Sequence, residues 1–92
     1  MRLRWTAAAV GDLEHIADYL FEKTPEHAAR LLRTIYDRVS GLETFPHRGR
    51  PGKKQGTREL VIAPLPYVVI YQVRGELLHV VRILHGAQQW PV

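Results

Sequence analysis

Apolar residues recur at helical spacing in two consecutive segments of the first half of the chain. The first segment places one stripe at i, i+3, i+4, i+7 and i+8, formed by Leu13, Ile16, Ala17, Leu20 and Phe21. Its acidic residues are expected to face largely elsewhere: Asp12, Glu14, Asp18 and Glu22. The second segment places on one face Ala28, Leu31, Leu32, Ile35, Val39 and Leu42. The pattern predicts a hairpin of two amphipathic helices, because only a very short loop separates them.

Residues around these segments predict where each helix begins. Thr6 is expected to cap the first helix through its hydroxyl, directly after a short strand at residues 2–5. Thr24 is expected to cap the second helix. Pro25 would then occupy the first helical position, and Glu26 would complement the positive helix N-terminus.

Three β-rich runs fill the last third of the chain, at residues 57–63, 67–74 and 77–85. The tight turn Arg74-Gly75-Glu76 predicts that the last two runs are antiparallel neighbours. The stretch Thr44–Gly56, rich in Gly, Pro and cations, is expected to be an irregular basic loop. The order βααβββ predicts an α+β fold, a helical hairpin on a small, mainly antiparallel sheet, in one domain of residues 1–92.

The last three strands are apolar at both alternating sets of positions, which predicts a sheet covered on much of both faces. The two helices cover only one face. The other face is therefore expected to carry a functional groove or to meet a partner protein.

The composition and charge of the chain limit which binding partners and which cellular compartment are expected. The net charge of +4 and the pI of about 9.9 favour phosphate-bearing partners or an acidic protein. The chain has no cysteine, which excludes thiolate metal sites, and its histidines show no metal-ligand spacing. It has neither a signal-peptide core nor an apolar run of about 20 residues. A cytoplasmic protein with no membrane contact, no metal and no cofactor is expected.

Four sequence segments carry a resemblance to a known family. They are GRPG at 49–52, GTREL at 56–60, PYVVIYQV at 66–73 and VVRILHGAQQW at 80–90. Together with the order βααβββ, they resemble the RelE/ParE toxin superfamily over nearly the whole chain. The resemblance implies the toxin of a type II toxin–antitoxin module, which arrests growth and is neutralised by a cognate antitoxin. Wrapping by an antitoxin is consistent with an apolar sheet and a basic surface.

Two activities are known in that superfamily, and the fold does not choose between them. ParE-like members inhibit DNA gyrase, whereas RelE-like members cut ribosome-bound mRNA. GTREL and RILHG look nearer to ParE-like toxins. The ribonuclease interpretation is weakened because Lys53 and Lys54 stand in a loop rather than on a strand, and because no tyrosine follows His85. A gyrase inhibitor is favoured. The alternatives are a ribosome-dependent mRNA endoribonuclease, which a terminal histidine resembles in some branches, and a non-toxic, antitoxin-binding paralogue.

A ribonuclease of this kind needs a base, cations and an acid, and no metal. Arg58 and Arg82 are predicted to clamp the phosphate and His85 to act as the acid, with Glu59 or His85 as the base. Because side chains alternate along a strand, Arg58 and Glu59 should point to opposite faces, and Arg58 with Arg82 is the favoured pair. His85 would join them only if it lies past the strand end. The structural alternative pairs Arg82 with a carboxylate such as Glu59.

A second set of residues is predicted to bind nucleic acid or the protein target: Arg48, Arg50, Lys53, Lys54, Tyr71, His85 and Trp90. Each of them also has a structural interpretation. The four cations are consistent with a solvated loop. Tyr71 is consistent with core packing on the same strand face as Tyr67. His85 is consistent with packing on Trp90 or with capping of backbone groups.

Overall fold

The computed structural model describes residues 1–86 and 88–91. Ala87, part of the predicted C-terminal binding segment, lies outside the described residues, as does Val92. The elements are β1 (Arg2–Trp5), α1 (Ala7–Lys23), α2 (Pro25–Ser40), β2 (Arg50–Pro51), β3 (Arg58–Val61), β4 (Tyr67–Arg74) and β5 (Leu77–His85). A short 3₁₀ helix at Gly41–Glu43 follows α2.

One sheet of five strands has the order β1-β5-β4-β3-β2. β1 runs parallel to β5, and the other neighbouring pairs are antiparallel. The prediction of an α+β fold with a helical hairpin on a mainly antiparallel sheet is confirmed. The predicted order lacks one element, because β2 lies inside the stretch predicted to be irregular, where Arg50 pairs with Glu59.

Both helices begin where the sequence predicts, but only the first has a side-chain cap. The Thr6 hydroxyl accepts a hydrogen bond from the Ala9 N–H at 3.1 Å, so its predicted cap is confirmed. Thr24 occupies the N-cap position of α2 and Pro25 begins the helix, as predicted, but the side chain of Thr24 makes no capping bond. Its backbone instead joins the helices, with its N–H donating to the Leu20 carbonyl at 2.8 Å and its carbonyl accepting from the His27 N–H.

The core lies between the helix hairpin and one face of the sheet. Its buried members include Ile16, Leu20, Ile35, Val39, Leu60, Val69, Tyr71, Leu78, Val80 and Ile83. Phe21, predicted to belong to the stripe of α1, is 51% exposed. The apolar faces of the helices and of the strands therefore pack together in one layer of side chains, as amphipathic elements require.

A bulge in β5 sets the direction of its last residues. Ile70 pairs with Arg82 and Tyr71 pairs with Val80, which leaves Val81 as an extra residue. Beyond the bulge, Ile83 is opposite Val69 and returns to the core face. Arg82 and His85 both lie beyond the bulge in one unbroken register, so the alternation predicted between these two residues is unaffected by it.

Candidate functional site: the sheet edge and the open-face cleft

Among residues 1–86 and 88–91, the outer edge of β5 has no strand partner in its second half, because β1 pairs with β5 only as far as Val80. Three side chains bond the main chain there instead: Thr6 at Val81, Asp12 at Ile83 and Gln88 at His85. The bond lengths are 2.8, 2.9 and 2.6 Å. Polar side chains thus satisfy an edge that would otherwise expose unpaired backbone groups.

Arg82 lies at this edge and is held by Asp12. Its Nε donates to Asp12 Oδ2 at 2.7 Å and its Nη2 donates to Asp12 Oδ1 at 2.9 Å, a bidentate pair. The hydrogen bond to Asp12 is the main reason that the pKa of Arg82 is raised. The structural interpretation of Arg82 is therefore right in kind, but its carboxylate partner is Asp12 and not Glu59.

Asp12 is the residue that the sequence analysis missed. It was assigned to the polar side of α1, yet it precedes the buried Ile16 and Leu20 at i, i+4 and i+8. An acidic residue in line with a buried stripe is a sequence signal for a partner cation inside the fold.

Arg58 is bound to the loop that precedes β2. Its Nε and Nη2 donate to the Gly49 carbonyl at 3.0 and 2.6 Å, and Nη2 also donates to the His47 carbonyl at 3.1 Å. The strand of Arg58, β3, and the strand of Arg82, β5, lie on opposite sides of β4. The structure does not show the favoured pairing of Arg58 with Arg82, because each guanidinium has its own structural partner.

Tyr71 is also part of the framework. It is 0% exposed, and its hydroxyl accepts from the Gly49 N–H at 2.9 Å and donates to the Pro46 carbonyl at 2.8 Å. A Cβ placed on Gly49 would stand 2.7 Å from that hydroxyl, so only glycine fits there. The structure contradicts a target-binding role for Tyr71, since its side chain reaches no surface. Its interpretation as a core residue is correct.

His85 ends β5 and packs on Tyr67. The two rings are edge-on, with centroids 6.1 Å apart. Burial, and secondarily the nearby Tyr19, raise the pKa of Tyr67. His85 therefore contacts Tyr67 from within the strand, and it does not extend past the strand end as a site shared with Arg58 and Arg82 would require.

The sheet face away from the helices carries a small cleft of about 80 Å³. Its polar lining comprises Arg50, Lys53, Glu59, His85 and Gln88, and its apolar lining includes Val68, Ile70, Leu84 and Trp90. Glu59 is only 8% exposed, and its Oε1 accepts from Arg50 Nε at 3.1 Å and Nη2 at 3.0 Å. The chain's own basic loop and C-terminal residues thus cover much of the face that was predicted to carry a groove or a partner.

The predicted target-binding cations divide into two groups. Arg50 and Lys53 line the cleft, and Lys54 Nζ lies 5.9 Å from the centroid of Trp90, which also lines it. Arg48 lies elsewhere in the loop, with its guanidinium carbon 4.7 Å from the centroid of the Phe45 ring. We call Arg50, Lys53 and Lys54 the basic rim.

A second, larger concavity lies between the helices. It has a volume of about 650 Å³ and is lined by Leu13, Glu14, Ala17, Ala29, Leu32, Arg33 and Tyr36. Tyr36 is 52% exposed at this groove. In the described part of the chain, no helix is long and apolar enough to cross a membrane. Nor do residues 1–86 and 88–91 contain a group of three or more His, Asp or Glu placed to hold a metal ion.

Comparison with known proteins gives concordant matches over most of the chain. The family model of the ParE toxin of type II toxin–antitoxin systems, parDE, matches residues 3–90. Y4kP of Sinorhizobium fredii (strain NBRC 101917 / NGR234) is 38% identical over 90 residues, covering 98% of this chain and 93% of its own. Toxin RelE2 of Caulobacter vibrioides is 39% identical over 84 residues, covering 91% and 93%. A structure of the chromosomal ParDE system from P. aeruginosa superposes with a TM-score of 0.85 at 30% identity, covering 92% and 95%.

Proposed function

Because the chain belongs to the ParE toxin family of type II toxin–antitoxin systems, we propose that it arrests growth by binding and inhibiting DNA gyrase. This proposal rests on the contacts that the structure gives to the two arginines predicted to be catalytic. Arg82 is bound to Asp12 and Arg58 to backbone carbonyls of the basic loop. Neither is available to a shared phosphate site, so the geometry supports a binding inhibitor over a ribonuclease built on these residues.

The size of the open-face cleft supports the same function. Sites that enclose small molecules have volumes of about 300–1,000 Å³, whereas this cleft measures about 80 Å³. Trp90 and Gln88 take up the space beside the buried Glu59. A nucleotide does not fit there while the C-terminal residues stay in place. The exposed parts of the basic rim and Trp90 are instead arranged as a contact surface.

The proposal includes a cognate antitoxin as the second partner. The superposed structure is described as a ParDE toxin–antitoxin system. In this chain the groove between α1 and α2 is apolar and open, with Leu13, Leu32 and Tyr36 along it. An amphipathic helix suits such a groove, because it can bury one apolar face between two helices. The antitoxin and gyrase would then use different faces of the toxin.

The test is a supercoiling assay with purified gyrase. The wild-type chain should inhibit supercoiling, and Trp90→Ala should weaken inhibition while leaving antitoxin affinity unchanged. Tyr36→Ala is the matched variant on the other face, and it should weaken antitoxin binding while leaving inhibition unchanged. Full supercoiling in the presence of a chain that arrests cells would refute the gyrase target. Harmless expression without antitoxin would instead favour the non-toxic paralogue.

A ribosome-dependent ribonuclease is the second candidate, because one observation favours it. The open-face cleft brings together Glu59, His85 and two cations, Arg50 and Lys53. These are the residue types that metal-independent RNA cleavage needs, although the set differs from the one predicted by sequence. Primer extension on translated mRNA would reveal new 5′ ends that depend on ribosomes. Glu59→Gln should remove those ends, and Arg58→Lys should not.

A further inference from the structure

The two halves of the chain, residues 1–43 and 44–92, differ in net charge. Glu59 and Glu76 are the only carboxylates after residue 43, whereas seven of the 13 Lys and Arg residues lie there. The helical half holds the other seven carboxylates and six cations. Residues 44–92 therefore carry a net charge of +5 and residues 1–43 a net charge of −1, so a polyanion is attracted to the side of the molecule that residues 44–92 form.

The basic rim groups three exposed cations of this half around one cleft, and two of them, Arg50 and Lys54, are held in place. Arg50 keeps 63% of its side chain exposed while it pairs with Glu59, and so neutralises the one carboxylate among the described residues that line the cleft. Lys54 rests on the Trp90 ring, a contact that limits the freedom of its long side chain. Lys53 is exposed and lines the same cleft. Cations held in advance lose less conformational entropy when they bind an anion.

We propose that the basic rim binds the phosphate backbone of duplex DNA. The cleft inside the rim, at about 80 Å³, is too small to admit a base, which excludes recognition by base capture. Single-strand binders use aromatic rings as stacking platforms, but Lys54 already lies over the Trp90 ring. Contact with phosphates alone is the mode that remains for nucleic acid, and it suits a duplex, whose bases are not presented for stacking.

This inference rests on the proposed function for its choice of duplex DNA over other polyanions, since gyrase acts on a duplex. The rim would contact the DNA segment held by gyrase, and Trp90 beside it would contact the enzyme. The toxin would thereby bind a composite of protein and DNA more tightly than either component alone.

The test is fluorescence anisotropy of the full chain with a labelled 20-base-pair duplex and with one of its strands, over a series of salt concentrations. Three phosphate contacts predict a slope of log K against log salt of about −2.7. Lys53→Gln/Lys54→Gln should reduce the slope by about 1.8 and the affinity at 0.1 M salt by roughly 60-fold. Lys53→Arg/Lys54→Arg should keep wild-type binding.

The matched control is Lys23→Gln/Arg30→Gln, which removes the same charge from exposed positions on the helices. It should change duplex affinity far less than the rim variant. Equal effects of the two variants would overturn the proposal, because they would report net charge and no defined surface. Tighter binding of the single strand than of the duplex would also overturn it, as would a rim variant that loses only antitoxin affinity.

Supercoiling assays on the same proteins separate this inference from the proposed function. Gyrase inhibition that persists fully in the rim variant, with no duplex binding by the wild type, overturns the inference and leaves the function standing. Salt-dependent duplex binding through the rim without gyrase inhibition supports the inference as a property of the surface and refutes the gyrase target.

Discussion

Removing the carboxylate of Asp12 tests whether Arg82 is a structural residue. The carboxylate accepts three hydrogen bonds, two from the Arg82 guanidinium and one from the Ile83 N–H. It is 14% exposed, so water replaces little of what a substitution removes. Asp12→Ala therefore leaves a guanidinium and a backbone N–H without partners at the free edge of β5.

The magnitude follows from these contacts. Hydrogen bonds to a charged group contribute about 1.5–3 kcal/mol, and an unpaired buried N–H costs about 1–3 kcal/mol. The Arg82 side chain is 34% exposed, so solvent recovers part of this loss. We expect Asp12→Ala to lower the free energy of unfolding by about 2–4 kcal/mol. Asp12→Asn should cost about 1–2 kcal/mol, because its amide oxygen still accepts from Ile83.

The assay is urea denaturation followed by tryptophan fluorescence, with Asp18→Ala as the control. Asp18 is an exposed acidic residue on the same helix, and its removal should change the free energy of unfolding by less than about 0.5 kcal/mol. Arg82→Gln should destabilise the fold as well, and the double variant should be less destabilised than the sum. Wild-type stability in both Asp12→Ala and Arg82→Gln would refute a structural role, and lost toxicity at wild-type stability would make Arg82 a functional residue.

Three further predictions concern the framework. Gly49→Ala should lower the free energy of unfolding by about 1–3 kcal/mol, because its Cβ would lie 2.7–2.8 Å from the Tyr71 side chain and the Glu59 carbonyl. Gly11→Ala is the matched control: its Cβ would have nothing within 4 Å, so it should raise the free energy of unfolding by up to about 1 kcal/mol. Tyr71→Phe should cost about 1–3 kcal/mol in the same denaturation assay, since the buried Gly49 N–H loses its acceptor. The raised pKa of Tyr67 favours the neutral phenol in the folded state. Stability should therefore fall as the pH rises from about 10 through the folded pKa, and Tyr67→Phe should flatten that decline in alkaline denaturation.

The sequence predicts most of the fold because periodicity is a local property. The runs predicted at 67–74 and 77–85 coincide with β4 and β5, and the run predicted at 57–63 contains the shorter β3. Gly75, with a φ of +60°, makes the tight turn that the sequence predicts between the last two strands. In contrast, β2 has two residues and includes a proline. Its pairing depends on a strand several residues away, so no alternation within the loop reveals it.

The candidate site was harder to predict, because its partners come from distant parts of the chain. Arg82 and Asp12 are 70 residues apart in sequence, and their contact depends on β1 ending before β5 does. Strand alternation applies within β3 and from Arg82 to His85, but it does not extend across the bulge at Val81 to the first half of β5. The role predicted for Arg58 and Arg82 depends on long-range side-chain contacts, which strand alternation does not supply.

The packing of the C-terminal residues favours one of the two candidate functions on energetic grounds. A ribonuclease needs the cleft to admit a nucleotide, and Trp90 and Gln88 line that space together with Ile70 and Leu84. Those two apolar residues are now 2% and 6% exposed, and fully exposing both would cost about 3–6 kcal/mol. Substrate binding would have to supply that free energy before any chemistry began. A gyrase inhibitor that uses the outer surface of the same residues needs no such opening, which is the physical reason to prefer it.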